Sequence, residues 1–432
     1  MMASCLAIAL LAPWPSLPVA AADFSADLPV VREFLDLDKS YSEPERTEAE
    51  AAFARLSASA ADTTLAAFHL AVAHIAALSR NGHTMMPVGL WPFSFNRIPL
   101  RLHVFADGMH VVHAPESMKL LLGARVLAID GHSTDELRIA FGRYCGAREG
   151  KRDEWMGYFV ESPELLQSAG LARAGDRLDV DFELADGSRA TRTIKATLDA
   201  PEEGRFDFLD FSRLSTYAHE NIGAAVPFYL EGPRRNFAVT ALPALDAVYL
   251  QLRVNKDFYE QKVDAFFEEA RRVLKAARPT NIVVDLRLDG GGDLTTTRRF
   301  FQGLATYLPR HGRIFVLTSG RTFSAGIASA GYLKQSAPSR VTIVGEPIGD
   351  HLEFWAEGHF LQLDQSKAAL LFASERHNYM TGCQEPDCHR WIRAHPIRVQ
   401  SLEPDILVPL TYADYRAGRD VALEAVANAL KN

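Results

Sequence analysis

The chain has 432 residues, 48% of them hydrophobic and 23% charged, with a net charge of -8, the profile of an ordinary folded globular protein. A disordered, collagen-like or coiled-coil chain is excluded, and at roughly 100 to 200 residues per domain the length allows about two to four domains. The acid excess, 54 Asp and Glu against 46 Lys and Arg, is spread along the chain with no basic run, which argues against nucleic acid as a partner.

Residues 1–22, MMASCLAIALLAPWPSLPVAAA, carry no charge and end in Ala20-Ala21-Ala22, a small-residue cleavage pattern. They are expected to be an export signal, although a positive n-region is lacking. As a membrane anchor the run is broken by Pro13, Pro15 and Pro18, and no later stretch is apolar enough to span a bilayer. The expected location is therefore a bacterial periplasm or the exterior. In that compartment Cys383 and Cys388 favour a disulfide, with Cys145 left over. The same segment with His389 and His395 has the residue types of a zinc knuckle, but the neighbours Cys388 and His389 cannot easily turn to one metal.

From residue 27 to about residue 78, apolar positions recur at helical spacing in three blocks, broken by Ser40-Tyr41-Ser42-Glu43-Pro44 and by Ala61-Asp62-Thr63, where Asp62 or Thr63 would cap. This predicts an N-terminal helical region over 23–95. Near its end stands a polar turn, Ser79-Arg80-Asn81-Gly82-His83-Thr84. Residues 96–200 change character, with alternating runs at 100–104 and 180–184 and an Asp186-Gly187 hairpin turn before 191–195. Within this β-rich domain, Gly123-Ala124-Arg125-Val126-Leu127-Ala128-Ile129-Asp130-Gly131 and a helix over 134–141 resemble the strand, turn and helix of a PDZ domain. That resemblance implies binding of an extended peptide by strand addition; a spacer or lid is the plainer reading.

A loop-rich stretch follows and opens the last domain, 201–432. Buried-type strands at 247–252, 282–286, 314–317 and 341–344 then alternate with helical patterns at 259–277, 295–308 and 324–335. Short apolar strands separated by helices predict an α/β fold with a mainly parallel sheet covered on both faces, whose ligands sit beyond the carboxyl ends of the strands.

Two of those strand ends can carry chemistry. Asp285-Leu286-Arg287-Leu288-Asp289-Gly290-Gly291-Gly292-Asp293 frees the backbone at three glycines, so its amides can face an anion. A phosphate fits poorly, because Gly-Lys-Ser/Thr is absent and Asp289 and Asp293 would repel it. A tight turn without a ligand is the simpler alternative. Ser319-Gly320-Arg321-Thr322-Phe323-Ser324-Ala325-Gly326-Ile327 places a serine at a helix start, where it is either an ordinary cap or a nucleophile beside the Ala325 amide.

Taken in order, the strand and glycine loop over 282–293, Thr322-Phe323-Ser324-Ala325, Val344-Gly345-Glu346-Pro347-Ile348-Gly349 and Glu403-Pro404-Asp405-Ile406-Leu407-Val408-Pro409 resemble the S41 peptidases, the tail-specific or C-terminal processing proteases. The resemblance implies a ClpP/crotonase-like core and acyl-enzyme chemistry on peptides or unfolded protein tails, with no metal or organic cofactor. Ser324 would be the nucleophile, and the amides of Gly291 and Ala325 would hold the oxyanion. Bacterial processing proteases use a lysine base after the Gly-Glu-x-x-Gly glycine, where this chain has Asp350. Lys334 cannot replace it, since ten residues along one helix is about three turns. Asn81-Gly82-His83-Thr84 instead resembles the Asp-Gly-His-Thr element of the tricorn-like branch, which makes His83 the expected base.

The glutamate that orients this histidine in the tricorn-like branch falls at Arg398. Glu346, Glu353 and Glu385 are the candidate substitutes, Thr84 is a candidate hydroxyl partner, and His351 is the second candidate base. Two other readings stand beside the peptidase. One is a catalytically inactive protein of this fold that binds a peptide or an apolar ligand. The other is an α/β-hydrolase, which expects Gly-x-Ser-x-Gly, where this chain has Thr322 in place of the first glycine, and a later histidine such as His389 or His395.

Overall fold

The computed structural model describes residues 21–196, 227–232 and 235–431. Nearly all of the expected export signal, and residues 197–226 of the loop-rich stretch, lie outside the described residues. No helix among the described residues is long and apolar enough to cross a membrane.

The N-terminal lobe consists of α1 (Leu28–Leu37), α2 (Glu43–Ser59) and α3 (Leu65–Ala77). Ser42 and Glu45 form a capping box at the start of α2, with the Ser42 amide donating to Glu45 Oε2 at 2.9 Å. The α3 cap is Thr64, one residue past the expected positions; its Oγ1 accepts from the Ala67 amide at 3.1 Å. The lobe also grips a distant segment. Asp27 accepts the amides of Gln365 and Ser366, and Asp38 Oδ2 accepts the amide of Ala373.

Next comes an antiparallel sheet of β1 (Arg101–Phe105), β2 (Gly108–His113), β3 (Arg125–Ile129), β4 (His132–Ser133), β5 (Arg177–Glu183) and β6 (Arg189–Lys195). Its order is β1-β2-β3-β5-β6, with β4 also on β3. The PDZ-like turn falls at Asp130 and Gly131, both at positive φ, and leads into α4 (Thr134–Phe141) behind a Ser133–Glu136 capping box. β3 is paired on both sides, and the sheet's free edges among the described residues include β1 and β6. Lobe and sheet are not packed separately. One apolar core joins Phe34, Phe68 and Ile75 to Val111, Phe159 and Val180, and reaches Leu370 and Tyr412.

The remaining sheet has the order β16-β11-β10-β9-β8-β7, formed by β7 (Phe237–Leu242), β8 (Ala247–Leu252), β9 (Asn281–Asp285), β10 (Ile314–Thr318), β11 (Val341–Gly345) and β16 (Ile406–Leu407). Only β7 runs antiparallel to its neighbour. Strand alternation sends Ile282, Val284, Ile314, Val316 and Ile343 to one face, against α6 (Val263–Ala277), α7 (Arg298–Gly303) and α8 (Ala325–Ser336). Val283, Phe315, Leu317 and Val344 face the other way, against Ala422 and Val426 of α9 (Val421–Ala429). This is the double covering expected of parallel strands.

Two helices are shorter than predicted. Residues 258–261 form a tight bridge before α6, with Phe258 and Gln261 exchanging backbone bonds. The pattern over 295–308 resolves into α7 and a 3-10 turn, Leu304–Tyr307. A small ribbon not expected from the sequence, β12 (Glu353–Ala356) paired with β15 (Glu375–Asn378), places Phe354 opposite His377.

Candidate active site

Ser324 starts α8 with φ 54° and ψ -123°, a backbone region that side chains other than glycine rarely adopt, and its hydroxyl makes no cap bond. It is therefore not an ordinary N-cap serine, which would sit in the β region and accept from the next turn. The turn is held from both sides. Thr322 Oγ1 donates to Leu286 O at 2.7 Å and the Phe323 amide donates to Asp289 O at 2.9 Å, while the Gly349 amide donates to Thr322 O at 2.9 Å.

The glycine loop lies directly against the serine. A Cβ built on Gly291, at φ +105°, would stand 2.6 Å from Ser324 Cβ and 3.2 Å from the Ala325 amide nitrogen, so this approach requires glycine. The Ala325 amide has no partner among the described residues. The Gly291 amide does have one: it donates to Asp289 Oδ1 at 3.0 Å. The expected oxyanion pair is thus only half free, because the buried Asp289 side chain already accepts the Gly291 amide. Asp289 also accepts from Asn255 Nδ2, and burial pushes its carboxyl up to about 8.

His83 reaches this turn through the lobe. Asn81 clamps the backbone of Trp355 in β12 with both ends of its amide, at 2.9 and 3.0 Å. A Cβ on Gly82 would meet Asp350 Oδ2 at 2.7 Å and the Phe323 ring at 2.9 Å, so glycine lets the turn close on both. The His83 ring is then stacked between Phe323, with centroids 4.3 Å apart, and Phe354, at 4.9 Å. Its Nδ1 is 3.2 Å from Asp350 Oδ2, and its buried Nε2 has no partner among the described residues. Asp350 is 1% exposed. With Nδ1 donating to that carboxylate, Nε2 is the ring's lone-pair nitrogen.

The other candidates for orienting or replacing His83 lie elsewhere. Thr84 Oγ1 donates to Asp38 Oδ2 at 2.7 Å and accepts from Asn81 at 3.0 Å, so it ties the turn to the end of α1 rather than to the imidazole. The His351 side chain is exposed, and that residue contributes its backbone amide to Asp350 Oδ1 instead. Glu346 accepts the Leu410 amide, Glu353 pairs with Arg376, and Glu385 pairs with the same arginine. Arg398 bonds Thr381 O. Lys334 is occupied by Val341 O and Asp405. The carboxylate partner of the histidine is Asp350, which is not among the candidate orienting groups named from the sequence.

A second group not found in the sequence is Lys151, on α5 (Glu149–Trp155), with Nζ 4.8 Å from the Phe323 ring centre. Burial pulls its amine down to about 8. A neighbouring cleft of about 390 Å³, lined by Arg138, Arg148, Glu154, Arg321 and Glu346, includes neither Ser324 nor His83. Cys383 and Cys388 are joined in a disulfide, which removes them as zinc ligands, and Cys145 is a buried free thiol pushed up to about 11.

The fold is shared with CPAF. Mature CPAF aligns with a TM-score of 0.58 at 13% identity over 95% of this chain and 96% of that one. A point mutant of CPAF gives 0.60 at 11% identity, over 95% and 98%. Mature CPAF complexed with lactacystin gives 0.57 at 13% identity, over 95% and 97%. No protein-family model matches the chain, and no curated protein does.

Proposed function

We propose that the chain is a serine peptidase of the S41 type, in which Ser324 attacks a peptide carbonyl and His83, oriented by Asp350, takes the serine proton and returns it to the leaving amine. The observation that carries this reading is the conjunction of a strained, uncapped Ser324 with a histidine that is stacked on the adjacent Phe323 and bonded to a buried carboxylate. A serine that only started a helix would not need φ 54°. The sequence motifs and the fold shared with CPAF support the same reading.

In the acyl-transfer step, the proton moves from Ser324 Oγ to His83 Nε2 as the C–O bond forms, and from His83 to the departing nitrogen as the C–N bond breaks. Water then repeats the sequence on the ester. The Ala325 amide supplies one oxyanion donor. The second is the Gly291 amide once the substrate's developing charge draws it from Asp289. Ser324 and His83 do not yet share a hydrogen bond, and that contact would tighten in the substrate complex.

The substrates are extended peptides or unfolded protein segments outside the cytoplasm, a location supported by residues 1–22 and by the Cys383–Cys388 disulfide. Lactacystin, present in one CPAF structure, is the first small ligand to try on this chain. The test is cleavage of an unstructured protein by wild type and by Ser324→Ala, with products located by mass spectrometry. Cleavage that is lost in the variant supports the peptidase. A second reading, a non-catalytic binder of peptides or apolar ligands, is favoured by the Gly291 amide being committed to Asp289. That reading requires ligand binding with no cleavage by either form.

A further inference from the structure

On the far side of Phe354 from His83, the column of stacked rings continues. Phe354 and His377 are 4.9 Å apart at 13°, and His377 and His389 are 5.3 Å apart at 8°. His377 is on β15, and His389 directly follows the disulfide-bonded Cys388. Glu357, just past β12, reaches the same place. One ligand-type atom from each of Glu357, His377 and His389 lies within 4.8 Å of the others.

The polar bonding of these groups is incomplete. His377 is 1% exposed, and its Nε2 stands buried without a hydrogen bond, 3.5 Å from Glu357 Oε1. His389 Nδ1 is likewise buried and unbonded. Two buried imidazole nitrogens beside a carboxylate are costly unless something sits between them.

We propose that Glu357, His377 and His389 form a binding site for a zinc-class divalent cation, separate from Ser324 and His83. Two neutral imidazoles and a carboxylate are a donor set for such an ion. Tetrahedral ligands at about 2.0–2.1 Å from zinc stand roughly 3.4 Å from one another. The Glu357–His377 separation of 3.5 Å already meets this, and a ligand-type atom of His389 lies within 4.8 Å of both.

The surroundings are compatible with the ring tautomers the metal needs. His377 Nδ1 faces Tyr379 Oη at 3.2 Å, so a proton held there leaves the Nε2 lone pair for the ion. His389 Nε2 lies 3.8 Å from Glu375 Oε2, and its Nδ1 has no hydrogen bond among the described residues. The disulfide restrains the loop that delivers His389. The fourth position stays open to water, since Glu357 is at the surface.

The experiment uses the purified full chain treated with chelator, then titrated with Zn²⁺ by calorimetry and with Co²⁺ by visible absorption. Wild type and Ser324→Ala are expected to bind about one ion per chain with a tetrahedral Co²⁺ spectrum, which separates this site from the catalytic reading. Glu357→Gln and His389→Gln, both at partly exposed positions, are expected to bind at least about tenfold more weakly while keeping the wild-type circular dichroism. Absence of binding by folded wild type overturns the proposal, as does equal binding in both variants. The first result would mean an ordinary histidine–glutamate hydrogen bond, and the second a metal held elsewhere.

Discussion

His83 and Asp350 are separated by 267 positions in the sequence, yet Nδ1 of the one lies 3.2 Å from Oδ2 of the other. In sequence the carboxylate follows Gly349, where the resemblance to the processing proteases would place a lysine. Asp350→Asn keeps the shape and removes the charge that stabilises an imidazolium. It is expected to lower kcat by about 10²-fold or more with little change in KM, measured on a fluorogenic peptide across pH 6 to 9. An unchanged kcat would remove Asp350 from the mechanism.

Strain at Ser324 yields a separate expectation. Glycine adopts φ 54° without penalty, so Ser324→Gly is expected to abolish activity and still raise unfolding stability by about 1 kcal/mol. Urea denaturation of the two proteins checks this. A less stable glycine variant would show that the turn is not strained.

Gly291 is tested in the opposite direction. Alanine there combines a positive φ with a 2.6 Å approach to Ser324 Cβ, and a methyl group cannot be accommodated without moving the nucleophile. Gly291→Ala is expected to lose about 2 kcal/mol of stability and about 10²-fold in kcat. Gly290→Ala is the control, because a Cβ there meets nothing within 4 Å. Equal loss in both variants would contradict the geometry.

Stability should depend on pH through buried histidines of the lobe and the antiparallel sheet. Burial holds His69 and His113 down at about 4, whereas unfolded imidazoles take a proton near 6.5. Between those values the unfolded chain binds more protons, so the stability these neutral rings confer is complete above about 6.5 and is lost as pH falls toward 4. The full window corresponds to about 3 kcal/mol for each ring. Urea midpoints at pH 7, 6, 5 and 4.5 are expected to decline, with a shallower slope in His69→Gln. A flat profile would contradict the assignment.

What was legible in the sequence follows from how each feature is encoded. Strands β8, β9, β10 and β11 are mostly apolar on both faces because both faces are covered, and that composition stands out between helices. Ser324 and His83 carry their own local signatures. Asp350 does not, since only the closure of the lobe onto β12, through Asn81 and Trp355, brings it to the histidine. Thr84 misleads for the same reason: its partner Asp38 is 46 positions away. The β12–β15 ribbon was missed because Glu353-Phe354-Trp355-Ala356 and Glu375-Arg376-His377-Asn378 are short and mixed in polarity.

The central claim is that Ser324 is a nucleophile activated by His83. It is tested most directly by labelling the purified chain with a fluorophosphonate probe, wild type beside Ser324→Ala, His83→Ala and His351→Ala, with the modified peptide located by mass spectrometry. The account predicts label on Ser324 in wild type and His351→Ala, and none in Ser324→Ala or His83→Ala. A folded wild type that takes no label, or label that persists in His83→Ala, would contradict it.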